Sequence, residues 1–266
     1  MPLLFSVAAF AIGAIWGSFL NVVIHRYPRQ ESVVFPPSHC PHCDAHIAAY
    51  DNIPLVSYLW LRGRCRSCRA PISARYPLIE LANGLFYLAV FQRTGLTWGF
   101  VPIAALVSMT LVLIHIDAEI QILPDVIDLP GVAIGLVMAT LHFGALYPDL
   151  TLASTLLESA AGAAAGAGVL LAIGMTYKLV RKVEGMGLGD VKMMAMLGAV
   201  LGWEPLLPLM LVASVTGAIV GLFVAARSEH GMKIAIPFGV FLGFAFLVEL
   251  FFGHTLSDWY VSLLMR

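Results

Sequence analysis

Charge is what this chain has least of. Only 12% of its 266 residues are Asp, Glu, Lys or Arg, about half the ~25% of a soluble domain, so a water-soluble globular protein is excluded. The formal net charge of -1 leaves no basic surface for a phosphate backbone, and no nucleic acid partner is expected. Cysteine is as scarce, with four in the whole chain. Strict apolar and polar alternation is missing, which excludes a transmembrane β-barrel. No strand leads into a glycine-rich fingerprint, so neither a dinucleotide fold nor a phosphate-binding loop is expected. The first apolar run lacks a basic stretch before it and a small-residue cleavage site after it, and is read as a retained span rather than a signal peptide.

Hydrophobic sequence fills the chain instead, 60% of all residues with a mean hydropathy of +0.89. A helix needs roughly 17–25 apolar residues to cross a bilayer. Apolar runs cover residues 3–23, 78–91, 100–116, 126–146, 152–179, 193–203, 206–226 and 234–252; the second and sixth are short enough to be tilted or half-spanning. The expected fold is an all-α polytopic membrane protein of about eight transmembrane helices. The small residues of Ser159-Ala-Ala-Gly-Ala-Ala-Ala-Gly-Ala-Gly168 fit close helix packing. Three parts follow: a first transmembrane helix at 1–24, a polar loop domain at 25–76 and the main membrane domain at 77–266. If the first span enters from outside, Arg26, Arg29, Arg62, Arg64, Arg66, Arg69, Arg75, Lys178, Arg181, Lys182, Lys192, Arg227 and Lys233 share one side, and only Arg93 and Arg266 oppose them. That asymmetry places the loop domain in the cytoplasm.

All the cysteines lie in that loop, as Cys40-Pro-His-Cys43 and Cys65-Arg-Ser-Cys68. Two such knuckles about twenty residues apart match a tetrahedral four-thiolate zinc site. Disulfides are the competing reading and are rare in a reducing cytoplasm. His39, His42 and His46 stand nearby, but four thiolates complete the shell and leave no open position, so the zinc is expected to be structural.

Two acids stand out at the ends of apolar runs. Asp117 closes one, where a helix C-terminus disfavours negative charge; Asp190 opens another after Gly185-Met-Gly-Leu-Gly189. Brought together they would form an aspartic dyad, one acid activating water and the other polarising the scissile carbonyl. Asp117 is expected to be pushed up, and Asp190, at a helix N-terminus near Lys192, to be pushed low, the two sharing one proton. Gly187 and Gly189 would let a peptide backbone approach, with Lys192 beside it. Capping is the bland alternative for Asp190 and for Asp125, with Asp128 a first-turn acid.

Taken in order, Gly17-Ser-Phe-Leu-Asn21 through Pro28, the paired cysteine knuckles, Arg75-Tyr-Pro-Leu-Ile-Glu80, Ile116-Asp117 with Leu123-Pro-Asp125, Gly187-Leu-Gly-Asp-Val-Lys192 and Ile236-Pro-Phe-Gly239 resemble the type IV prepilin peptidases. These are the bifunctional leader peptidases and N-methyltransferases of type IV pilus and type II secretion systems. The resemblance spans nearly the whole chain. It implies a multi-pass protein of the bacterial inner membrane whose active site faces the cytoplasm. It implies cleavage of the basic leader from prepilins and pseudopilins by Asp117 and Asp190, then methylation of the new N-terminus with S-adenosylmethionine. The complete cysteine loop marks the bifunctional members, similar enzymes without it being peptidases only. Val240 departs from the family pattern, in which Pro commonly follows Ile-Pro-Phe-Gly, and the spacing between the aspartates is slightly longer than in some relatives.

Glu80, Asp51 and Asn52 are the candidates for the methyl donor's site by type and location, against anchoring and turn formation as their structural roles. Glu119, Glu184, Asp125 and Asp128 are candidates to meet the leader's charge. A proton-coupled transporter would place its acids nearer mid-bilayer and show repeats, and a scaffold would leave the glycine-rich Asp190 segment without a purpose.

Overall fold

The computed structural model describes residues 2–183, 186–227 and 236–264; Glu184 and Gly185 of the glycine-rich stretch, with Lys233 and Arg266, lie outside the described residues. The helices run α1 (Pro2–Arg26), α2 (Val56–Trp60), α3 (Arg75–Thr94), α4 (Phe100–Ile120), α5 (Asp125–Thr140), α6 (Phe143–Leu146), α7 (Leu156–Arg181), α8 (Leu188–Leu201), α9 (Leu206–Arg227) and α10 (Phe238–Leu264). The chain divides into two compact units, Met1–Val112 and Leu113–Arg266.

Among the described residues each apolar run contributes to a helix, but about eight crossings is corrected to five helices long and apolar enough to span: α1, α4, α7, α9 and α10. The reason is length and charge. With 16 and 14 residues, α5 and α8 reach about 24 and 21 Å at 1.5 Å per residue, short of a hydrocarbon core of ~30 Å. A left-handed His142 (φ 56°) separates α5 from α6, so the run 126–146 is not one helix. α3 carries Arg75, Glu80 and Arg93 within its 20 residues.

In the first unit α1 and α3 run antiparallel at backbone contact. A Cβ on Gly13 would lie 2.6 Å from Tyr87 Cβ, and one on Gly17 would lie 2.8 Å from Glu80 Cα. The pair is tied by amide side chains: Asn83 Nδ2 donates to Gly13 O (2.7 Å) and Asn21 Nδ2 to Tyr76 O (3.1 Å). Between these helices the loop folds as two knuckles of the same design. Cys40 N–H bonds to Ala45 O and Asp44 N–H to Cys40 O; Cys65 N–H bonds to Ala70 O and Arg69 N–H to Cys65 O. The residue after each second cysteine is left-handed, Asp44 at φ 54° and Arg69 at φ 62°, which turns the chain back over its own cysteines.

The second unit is held by glycine crossings. α7 starts with a capping arrangement in which Thr155 Oγ1 accepts from Glu158 N–H (3.2 Å) and Glu158 Oε2 accepts from Ser154 N–H (2.8 Å). About two turns later it meets α8 backbone to backbone: a Cβ on Gly162 would lie 2.1 Å from Gly198 O, and one on Gly198 would lie 2.2 Å from Gly162 O. Ser159 Oγ donates to Ala199 O across the same crossing (2.6 Å). α8 is thereby enclosed, with Met193, Met194, Met196 and Leu197 fully buried. α5 runs parallel to α8, since Asp125 meets Lys192 at one end and Gly135 abuts Ala199 at the other. Parallel packing sets the two N-terminal turns, with their acids, side by side.

Candidate active sites and metal centre

In the second unit the N-terminal turns of α5, α8 and α10 gather around the end of α4. Asp117, in the last turn of α4, is 4% exposed. Its Oδ2 accepts a hydrogen bond from Val240 N–H at 3.1 Å, in the first turn of α10. The unfavourable position at its own helix end is thus offset by the positive end of another helix. Gly239 makes this possible, because a Cβ there would lie 2.8 Å from Asp117 Oδ2 and 3.0 Å from Leu123 Cδ1. Leu123 also abuts Gly189, 3.0 Å from where its Cβ would be, so one buried leucine wedges the starts of α8 and α10 apart beside the acids.

Asp190 lies in the first turn of α8 but does not cap it; Gly187 is the N-cap, in an extended conformation. Asp117 is close enough for its charge to act on Asp190. The expectation of a low value for Asp190 is reversed: burial first, and the charge of Asp117 second, push its carboxyl up to about 6. Desolvation outweighs the helix end, because Lys192 is spent elsewhere. Its Nζ bonds both oxygens of Asp125 at 2.7 Å. Asp125 is not a side-chain cap of α5 either; it is the first helical residue and caps nothing. Asp128 is in the first turn as expected, yet 0% exposed, with neither carboxylate oxygen hydrogen-bonded among the described residues. Gly187 and Gly189 stand in the approach to Asp190, Gly187 exposed and Gly189 half-buried.

The first unit holds a different site. The Sγ atoms of Cys40, Cys43, Cys65 and Cys68 all lie within 4.8 Å of one another. Cys40 and Cys68 are 3.8 Å apart, the edge of a tetrahedron with zinc–sulfur bonds of about 2.3 Å and far beyond a disulfide at about 2.05 Å. All four are free. N–H groups of Cys68, then of Ser67, pull the Cys65 thiol down to about 6, whereas Cys43, despite an N–H from Ala45, is pushed up to about 12 by the sulfurs of Cys68, Cys40 and Cys65; so crowded a set ionises together only around a cation. The donor set fits a metal ion held by four sulfurs.

Beside the knuckles is a cavity of about 490 Å³ lined by Asn21, Asp51, Asn52 and Glu80, which brings the three candidates into one wall. Glu80 is 8% exposed, and its Oε2 accepts from Leu55 N–H at 2.8 Å. That bond holds Leu55 in a positive-φ conformation (φ 61°) that a branched side chain otherwise resists. Asp51 is less available, since Arg66 grips it through Nε (2.6 Å) and Nη2 (2.5 Å). The sequence reading missed Asn21: its side chain is 2% exposed and its Oδ1 has no partner among the described residues. A buried amide following Gly17 was the available signal, and nothing local announced that α3 would come to face it.

Comparison with known proteins follows this division. Residues 11–94 match the bacterial peptidase A24 N-terminal domain, and residues 104–222 match the type IV leader peptidase family. The prepilin leader peptidase/N-methyltransferase of Aeromonas hydrophila is 38% identical, covering 98% of this chain and 96% of that protein. Its namesake in Pseudomonas aeruginosa is 37% identical over 98% of this chain and 95% of its own. That of Myxococcus xanthus is 43% identical over 82% of this chain and 63% of its own. No solved structure matches. The Gly239–Val240 cradle of Asp117 lies beyond the residues that the two family models match.

Proposed function

The chain belongs to the type IV leader peptidase family, and we propose that it removes the leader from prepilins and pseudopilins with Asp117 and Asp190 and then N-methylates the new terminus. The observation that carries the first activity is that two acids remote in sequence are brought to one place, on either side of Leu123, close enough for the charge of Asp117 to act on Asp190. In this reading Asp190 carries the shared proton and Asp117 is the base. Both acids are desolvated, but Asp117 has the Val240 N–H to offset its burial and favour negative charge, whereas burial and the charge of Asp117 both favour the acid form of Asp190. Asp117 takes a proton from water as the oxygen attacks the scissile carbonyl, and Asp190 donates to the carbonyl oxygen. The assignment is the opposite of the one expected from helix ends alone.

Methyl transfer is assigned to the first unit. Its cavity is within the ~300–1,000 Å³ of small-molecule sites, and it offers an unpartnered acceptor, Asn21 Oδ1, and a buried carboxyl, Glu80. Those groups suit a donor that carries an amine and a sulfonium, and S-adenosylmethionine supplies an electrophilic methyl when bound. Asn21, Asn52 and Glu80 would hold it. The four cysteines would hold zinc as a structural ion, fixing the wall that includes Cys40 and Cys65. The positive-inside pattern supports a cytoplasmic position for the cysteine loop and the acids in the bacterial inner membrane.

The test is a membrane assay with a prepilin, read by intact mass. Parent protein should shorten the substrate and, with S-adenosylmethionine added, increase the product by one methyl. Asp117→Asn and Asp190→Asn should abolish shortening yet still methylate a pre-cleaved substrate. Cleavage that survives Asp117→Asn would end the dyad reading.

A further inference from the structure

We infer that the first unit carries a second seat, an apolar one beside the donor cavity, that takes the N-terminal residue to be methylated. The inference rests on reading the polar cavity as the donor's. The second cavity measures about 460 Å³ and shares Ser18, Val22, Arg26, Ser38, Asn52 and Ile53 with the first. Its other walls are apolar, including Ile15, Phe19, Val33 and Val34.

Direct transfer requires donor carbon and acceptor nitrogen to meet at roughly 3–3.5 Å, so the two substrates must sit on either side of one wall. This pair of cavities has such a wall. Ile15, Ser18, Phe19, Val22 and Arg26 recur at helical spacing, so one stripe of α1 lines the seat. The stripe begins on the spanning part of α1, where Ile15 is 61% and Phe19 40% exposed, so a substrate with its apolar segment in the bilayer reaches the seat without leaving lipid. The occupant it fits is an apolar N-terminal residue; an acidic or strongly polar one would lose its hydration against Ile15, Phe19 and Val34.

Ser18 links the seat to a proton acceptor, since it lines both cavities and its side chain hydrogen-bonds Glu80. An N-terminal ammonium passes one proton through Ser18 to the Glu80 carboxylate. The freed lone pair then forms the nitrogen–carbon bond while the carbon–sulfur bond breaks, its electron pair staying on sulfur. The products are a secondary ammonium, a neutral thioether and a protonated Glu80, with charge conserved. Ser18 and Glu80 are positioning and proton-handling groups, and the α1 stripe sets specificity.

The experiment uses the full chain in nanodiscs and two probes, S-adenosylmethionine and a short peptide with a free N-terminal benzoylphenylalanine. Ile15→Trp fills the second cavity alone; it should weaken peptide binding at least tenfold and leave S-adenosylmethionine binding within twofold. Photocrosslinks should map to the α1 stripe or to residues 33–34. Should Ile15→Trp fail to fold, Val34→Trp, at a position 70% exposed, replaces it with the same expected outcome. Unchanged peptide binding in a folded variant, or crosslinks confined to other residues, overturns the inference. Ile47→Trp, which fills only the first cavity, should do the reverse. If it spares S-adenosylmethionine binding, the donor reading fails, and the crosslinks decide the apolar seat separately.

Discussion

Gly239→Ala is the most economical attack on the proposed dyad, because it adds one methyl group and no charge. The new Cβ would lie 2.8 Å from Asp117 Oδ2 and 3.1 Å from Asp117 Cγ, with Leu123 Cδ1 at 3.0 Å on its other side. Backbone fixes the methyl and the wedge blocks its escape, so the carboxylate must turn and give up the Val240 N–H. A hydrogen bond to a charged group contributes about 1.5–3 kcal/mol, which corresponds to roughly a 10- to 150-fold loss of cleavage. Helix propensity offsets only part of that loss, Ala being favoured over Gly by about 1 kcal/mol, so thermal stability in detergent should fall modestly, by about 2 kcal/mol at most. The assay is prepilin cleavage at limiting enzyme, with methylation of a pre-cleaved substrate measured in parallel and expected within twofold of parent. Gly168→Ala, where an added Cβ meets nothing within 4 Å, is the matched control and should cleave normally. Val240→Pro isolates the bond itself: it deletes the N–H in the first turn, where proline is tolerated, and should produce a loss in the same range. Cleavage by Gly239→Ala within twofold of parent would refute the reasoning that the α10 N-terminus sets the charge of Asp117.

Other perturbations separate the two units. Because Asp190 is raised from an ordinary ~3.9 to about 6, its contribution to stability is full below the unfolded value and is lost as pH rises through the folded one. Asp190→Asn should therefore raise the unfolding temperature more at pH 7.5 than at pH 4, by no more than about 3 kcal/mol in free energy, and an equal effect at both pH values would count against a buried acid. Stripping metal with a strong chelator should release about one zinc per chain by elemental analysis, expose residues 27–74 to limited proteolysis, and impair methylation more than cleavage. Gly198→Val drives a branched side chain into Gly162 O, 2.2 Å from its Cβ; loss of more than about 3 kcal/mol and of folded protein in detergent is expected, and a normal yield would show that the crossing can open.

Composition and short-range spacing determined a good deal by themselves. Scarce charge and long apolar runs dictate membrane helices, since a backbone in lipid must satisfy its own hydrogen bonds. The paired knuckles dictate a four-sulfur cluster, because each Cys-x-x-Cys closes its turn locally and the geometry needs little from elsewhere. Asp117 and Asp190 drew notice for the same local reason, an acid at the edge of an apolar run. Tertiary structure alone decided how many helices reach across, where the positive end for Asp117 comes from, and that Asp190 is raised rather than lowered. Each depends on a partner far along the chain. α10 supplies the N–H for Asp117 from 123 residues away, and Asp125 takes Lys192 away from Asp190 from 67 residues away. A charge answers to the sum of burial, dipoles and neighbours in space, and that sum exists only once α4, α5, α8 and α10 have met.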